Sequence, residues 1–195
     1  REARPDMDIV ANDRDAEACE YIKANIELAG SGNIKASNDD LRCLLARRAF
    51  DYIDLDPFGT PVHFIPAIMQ GLRRHGVAGI TATDTAPLAG TYPKKCLRRY
   101  GALSMRSPFG HESGLRILIG HIAREAAKED KGLECLLSFY ADHYMRAYVR
   151  VVDGGAAADR TIAALGFIDF DRATGERSVS LERTSSRSIG PLWLG

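Results

Sequence analysis

The run Asp56-Pro57-Phe58-Gly59 sets an acid, a proline, an aromatic and a glycine directly after a short apolar segment, Tyr52-Ile53-Asp54-Leu55. That segment is bounded as a buried strand would be, and ligands of open α/β sheets bind where strands end. These four residue types suit methyl transfer to an exocyclic amine on a planar base. A conjugated NH2 is a poor nucleophile because its lone pair is delocalised into the ring. A carboxylate and the carbonyl of Pro57 supply two acceptors for the two N–H bonds and favour the pyramidal geometry that attack needs. An adjacent aromatic can stack on a flipped-out base. Proline stiffens the turn, and glycine allows close backbone approach. Asp56, Pro57 and Phe58 are therefore the catalytic candidates, with Gly59 in the substrate pocket. The competing readings are an acid in an Asx-turn for Asp56 and plain core packing for Phe58. Asp54 shares the side-chain direction of Asp56 in a regular strand, and either orients the site or supports it from behind.

The elements that must position this turn follow from pattern. Met7 to Asp13 reads as a strand. Asp15 caps a helix whose apolar stripe is Cys19, Ile22, Ile26 and Ala29, and Gly30 to Gly32 ends it. Asn33 to Ser37 and Phe50 to Leu55 read as strands, with a helix over Leu41 to Arg48 between them. Another helix starts between Thr60 and Pro66, since proline is tolerated near a helix start. Val77 to Thr83 is β-branched and strand-like. Alternating strands and helices imply a mostly parallel sheet covered by helices. Residues 84–110 hold several Pro and Gly and are expected to form a long functional loop with one helical turn. Ser113 to Lys128 is helical. Leu133 to Tyr140 and Tyr144 to Val152 form an antiparallel hairpin at the sheet edge. Gly154-Gly155 marks a linker. Residues 156–165 are helical, and two short strands flank Ala173-Thr174-Gly175.

A chain of 195 residues with 45% apolar and 27% charged residues can bury one sizeable core. No window resembles a transmembrane helix. Cys19, Cys43, Cys96 and Cys135 are scattered without a CxxC pair, which favours reduced thiols and a cytoplasmic setting. Formal net charge is zero, which by itself argues mildly against a partner bound through phosphates. The charge is unevenly spread, however. Lys94, Lys95, Arg98 and Arg99 form a basic cluster beside Tyr92 and Tyr100, a mixture that suits phosphate and base contacts or a solvated helix face. Thr83 and Asp84 end the strand next to the DPFG strand and form a wall of the base pocket, unless Asp84 only caps a turn. On the hairpin, Tyr144, Arg146, Tyr148 and Arg150 alternate with Met145, Ala147 and Val149, giving one basic aromatic face and one apolar face. His111-Glu112 lacks the second His of HExxH.

DPFG resembles the variant of the amino-methyltransferase motif found in the tRNA (guanine-26, N2)-dimethyltransferase family. TATDTAPLAGTYPKKCLRRYG (81–101), HESGLRILIGHIAREAAK (111–128), LLSFYADHYMRAYVRV (136–151) and the terminal GPLWLG are also similar to that family, in order and at its spacing. The resemblance implies an α/β, Rossmann-like class I methyltransferase sheet with a C-terminal antiparallel hairpin. Residues 1–152 would be a partial catalytic domain and 153–195 a small α+β extension. The first strand and the Gly-rich cofactor loop are expected upstream of Arg1, and a C-terminal domain beyond Gly195. The cofactor implied is S-adenosyl-L-methionine. Asp13 would bind its ribose, as acids at strand ends do in dinucleotide-type folds, and Asp39, with Asp40 beside it, would lie near the adenine amine. Helix capping is the alternative for each. The partner implied is tRNA, with no membrane and no protein partner expected. Zinc-binding Cys pairs of many family members are absent from residues 166–189, so no zinc is expected. The alternatives are a non-catalytic RNA-binding fragment, or methylation of another base or an amide; the TATDTAPL and RRYG stretches weigh against the latter.

Overall fold

The computed structural model describes residues 7–195, and the chain divides into two compact units after Arg48. In the first unit, strand β1 (Ile9–Asn12) pairs in parallel with β2 (Ile34–Ser37). Helix α1 (Ala16–Ala29) joins them. It starts where the Asp15 side chain accepts from the Glu17 amide, and it stops where Gly30 takes the left-handed conformation. Helix α2 (Leu41–Arg47) follows β2, capped by the Asp40 side chain.

The second unit is built on a four-stranded sheet in the order β3 (Phe50–Leu55), β4 (Leu72–Ala82), β6 (Tyr144–Asp153), β5 (Lys131–Ala141). β3 and β4 are parallel, and β6 is antiparallel to both of its neighbours. The hairpin therefore closes the sheet with β5 at its edge, as the alternation of its residues predicts. Period-two alternation sends Ile53, Leu55, Ala78, Ile80, Ala82, Met145, Ala147 and Val149 into the core. There they meet α3 (Ile65–Gly71) and α6 (Gly110–Ala127), which bury Ile65, Ile68, Met69, Ile117, Leu118 and Ile122. Each such side chain contributes roughly 1.5–3 kcal/mol. Pro66 sits in the first turn of α3, where its missing N–H costs nothing.

The expected long loop over 84–110 is corrected. It contains α4 (Thr85–Leu88) and α5 (Pro93–Tyr100). Pro93 opens α5 and Gly101 closes it in the left-handed conformation, so these residues punctuate a helix rather than fill a loop. β4 also begins five residues earlier than its β-branched core predicts, at Leu72, and the pairing to β3 is irregular between Phe50 and Tyr52.

Helix α7 (Gly155–Ala163) packs on β5. Beyond it, a three-stranded antiparallel sheet runs β8 (Arg177–Ser180), β7 (Leu165–Phe170), β9 (Ser188–Trp193). β9, which the sequence pattern does not predict, lies on α6 and is tied to Leu103 by two hydrogen bonds with Gly190, of 2.7 and 2.8 Å. The Asp169 carboxylate holds the connection before β9. It accepts from the hydroxyls of Ser188 (2.6 Å), Thr184 (2.6 Å) and Ser185 (3.1 Å).

Candidate active site

The DPFG turn leaves β3 at Leu55 and is fastened at its far end. Gly59 has φ of 87°, a conformation that only glycine adopts freely. In it the Gly59 amide donates to Thr83 Oγ1 at 2.7 Å, and its carbonyl accepts from the amides of Thr83 (2.9 Å) and Asp84 (3.3 Å). Asp56 is exposed and has no hydrogen-bond or ion-pair partner among the described residues. Phe58 is fully exposed, which removes core packing as its role. The turn thus presents a free carboxylate and a bare aromatic ring from a backbone anchored on both sides.

Asp84 is the opposite kind of acid. Its side chain is 9% exposed, and both oxygens are taken. Arg99 donates to Oδ2 at 2.7 Å and the Tyr100 hydroxyl to Oδ1 at 2.6 Å. The same hydroxyl lies 3.0 Å from Thr60 Oγ1, the residue after DPFG. Burial, and then the Asp84 charge, push the Tyr100 phenol far above its ordinary range. Behind the ring stands His121, edge-on at 5.7 Å. Burial and then the Arg124 charge push that imidazole down to about 4. Arg124 donates to the Tyr100 carbonyl.

On the sheet face away from the core, Asp54 accepts from Arg146 (2.6 Å) and from the Tyr52 hydroxyl (2.7 Å), while Arg146 also reaches Thr81 Oγ1 (2.7 Å) and lies over the Tyr148 ring. Gly79 makes room for this: a Cβ there would stand 2.8 Å from the Arg146 guanidinium and 3.0 Å from the Tyr52 hydroxyl. Burial and then Asp54 push the Tyr52 phenol up to about 12. Asp54 and Arg146 are therefore committed to each other across three strands.

Asp13, Asp39 and Asp40 follow the ends of the first unit's two strands. Asn38 donates to the Asp13 carbonyl at 3.0 Å, and Asn12 to the Asp39 carbonyl at 3.1 Å. One oxygen of Asp13 accepts from the Asp15 amide at 2.8 Å, and no partner of the other is found among the described residues. Asp39 pairs with Arg47 at 2.8 Å. Both Asp40 oxygens serve Arg42, which holds that carboxyl well below its ordinary range.

The basic cluster splits. Arg99 and Tyr100 turn inward to Asp84. Tyr92, Lys94, Lys95 and Arg98 line an open groove of about 530 Å3 with Thr91 and Pro93. The spacing of Cys96 and Tyr100, four apart on one helix and both fully buried, is the signal that separates the two sets. The interior roles of Thr60 and Arg146 have no comparable signal in the sequence.

Comparison with known proteins decides the relationship. A family model described as N2,N2-dimethylguanosine tRNA methyltransferase matches residues 1–195. The chain belongs to that family. A tRNA (guanine(26)-N(2))-dimethyltransferase of Pyrococcus furiosus is 43% identical over 210 residues, covering 98% of this chain and 55% of the relative. One from Pyrobaculum arsenaticum is 44% identical, covering 96% and 52%. The solved structure of Trm1 from Pyrococcus horikoshii with S-adenosyl-L-methionine superposes with a TM-score of 0.92 at 39% identity, covering 96% of this chain and 56% of that one. The chain thus has the Rossmann-like methyltransferase fold of the family, and spans about half the length of the relatives it matches.

Proposed function

We propose that the protein carrying this chain is a cytoplasmic enzyme that methylates the exocyclic N2 of guanosine 26 in tRNA, twice, with S-adenosyl-L-methionine as donor. The observation that carries this reading is the pairing of an exposed Asp56, without a partner among the described residues, with a fully exposed Phe58 on an anchored turn, in a chain of this family. Phe58 stacks on the extruded guanine. The Asp56 carboxylate and the Pro57 carbonyl accept the two N–H bonds of the amine and turn its lone pair out of conjugation. Asp56 takes the proton released as the C–N bond forms. No covalent intermediate with the protein is needed; positioning supplies the acceleration.

The first unit fits the cofactor's nucleoside end. The Asp13 oxygen that has no partner among the described residues can accept a ribose hydroxyl, and Asp39 stands at the neighbouring strand end, whereas Asp40 is spent on Arg42. S-adenosyl-L-methionine, when bound, would supply an electrophilic methyl group whose bond to the sulfonium sulfur breaks as the C–N bond forms, leaving a neutral thioether. Tyr92, Lys94, Lys95 and Arg98 are the residues offered to the tRNA backbone, from an exposed groove wall. No helix of the described residues is long and apolar enough to cross a membrane.

The test uses the full-length protein, labelled methyl donor and tRNA transcripts carrying guanosine or adenosine at position 26. Label in N2,N2-dimethylguanosine from the first transcript, and none from the second, is expected. Equal labelling of both would refute the site assignment.

A further inference from the structure

We propose that Tyr100 is a positioning residue for the catalytic turn: its buried hydroxyl couples Thr60, at the end of the turn, to Asp84, and thereby fixes where Asp56 stands. The inference rests on the function proposed above. A phenol has one proton, so donation to Asp84 at 2.6 Å leaves its oxygen to accept from the Thr60 hydroxyl at 3.0 Å. The bonds then run in one direction, from Thr60 through Tyr100 to a carboxylate already paired with Arg99.

Tyr100 itself cannot give way. It is fully buried, its carbonyl is held by Arg124, its ring packs edge-on against His121, and Gly101 ends the helix directly after it. Asp56 has no side-chain tie of its own among the described residues. Its place is therefore set by the two ends of the turn: Leu55 in β3, and the Gly59–Thr60 pair. Gly59 is fastened to Thr83 and Asp84. Thr60 is fastened to Tyr100. Asp84 lies at the meeting point of both fastenings. Burial pushes the phenol further above its ordinary range, so its proton stays available for donation to Asp84. A displacement of about 1 Å at a reacting group can cost on the order of a hundredfold in rate. Loss of one flank of the turn, with the other intact, should cost less.

The experiment uses the full-length protein with Tyr100→Phe, which keeps the ring, and Thr60→Val, which removes the hydroxyl from the other end. Single-turnover methyl transfer to a tRNA transcript at saturating donor should fall roughly tenfold in each, with tRNA affinity within twofold of the parent. The double variant should be no slower than the slower single, because both break one chain. Thr60→Ser restores the hydroxyl and should restore the rate. Amide exchange over residues 56–64 should quicken in Tyr100→Phe. Unchanged exchange, full transfer rate in either hydroxyl-deleted variant, or additive losses in the double would overturn the proposal. A parent protein that methylates no tRNA would instead contradict the proposed function. Exchange over residues 56–64 would still decide whether Tyr100 holds the turn.

Discussion

Asp56 and Asp84 follow neighbouring parallel strands, β3 and β4, yet their surroundings are opposite. Asp84 is nearly buried and has both oxygens engaged, by Arg99 and Tyr100. Asp56 stands in solvent with no partner among the described residues. A buried carboxylate must be saturated, because an unpaired charge in the interior costs several kcal/mol. A carboxylate that is to accept a substrate's N–H groups must be left unsaturated. Asp84 braces the turn, and Asp56 is left open in the way the proposed function requires. Asp54 and Asp13 extend the contrast. Asp54 is bound into the sheet by Arg146 and Tyr52, whereas one oxygen of Asp13 has no partner among the described residues.

The contrast breaks most readily at Asp84. Asp84→Ala strands a partly buried guanidinium and an inner phenol, and should lower stability by about 3–4 kcal/mol in urea unfolding. A loss comparable to that of a surface mutation would mean that Asp84 does not brace the unit. His121, behind the same tyrosine, sharpens the point through pH. Its folded pKa of about 4 lies below the usual 6.5, chiefly through burial. The unfolded chain therefore binds the proton first, and stability falls as pH drops from about 6.5 towards 4. The loss reaches up to roughly 3 kcal/mol. His121→Gln should flatten that segment of the stability–pH curve, and an unchanged slope would assign it to other groups. The smallest effect belongs to the exposed turn. Asp56→Ala and Phe58→Ala should leave stability within about 0.5 kcal/mol of the parent, and a larger loss would show that the turn is part of the core.

Much of this arrangement was legible in the sequence, for reasons that can be located. The strands over 9–12, 34–37 and 50–55 announce themselves as short, largely apolar runs ended by polar or turn residues, and the hairpin by its period-two alternation. Asp15 and Gly30 mark both ends of α1. Helix α5 was hidden because Pro93 and Gly101, which bound it, resemble the punctuation of a loop. β9 was hidden because Ile189-Gly190-Pro191-Leu192 carries glycine and proline where a strand should carry branched residues; its pairing is supplied by β7 and by Leu103. In the candidate site, DPFG stands out in the sequence because the chemistry proposed for it needs those residue types side by side. The Thr60–Tyr100–Asp84 chain joins residues up to forty positions apart, and a threonine and a tyrosine have too many ordinary uses to signal such a bond. Arg99 looked like its neighbour Arg98; only the helix phase that buries Tyr100 distinguishes them.

The central claim is that Asp56 is the acceptor for the guanine amine, and it is tested most directly by Asp56→Ala in the full-length protein. Single-turnover methyl transfer to a tRNA transcript and tRNA affinity by filter binding would be measured on the same preparations. In the proposed mechanism the carboxylate acts on the amine in the transition state, while tRNA affinity would come mostly from phosphate contacts elsewhere. Transfer should therefore fall by about 10²–10³-fold, by analogy with the loss of one preorganised hydrogen-bonding group from an active site, and affinity should stay within about twofold. Parental transfer rates in Asp56→Ala, or a loss of transfer fully explained by lost tRNA binding, would contradict the account.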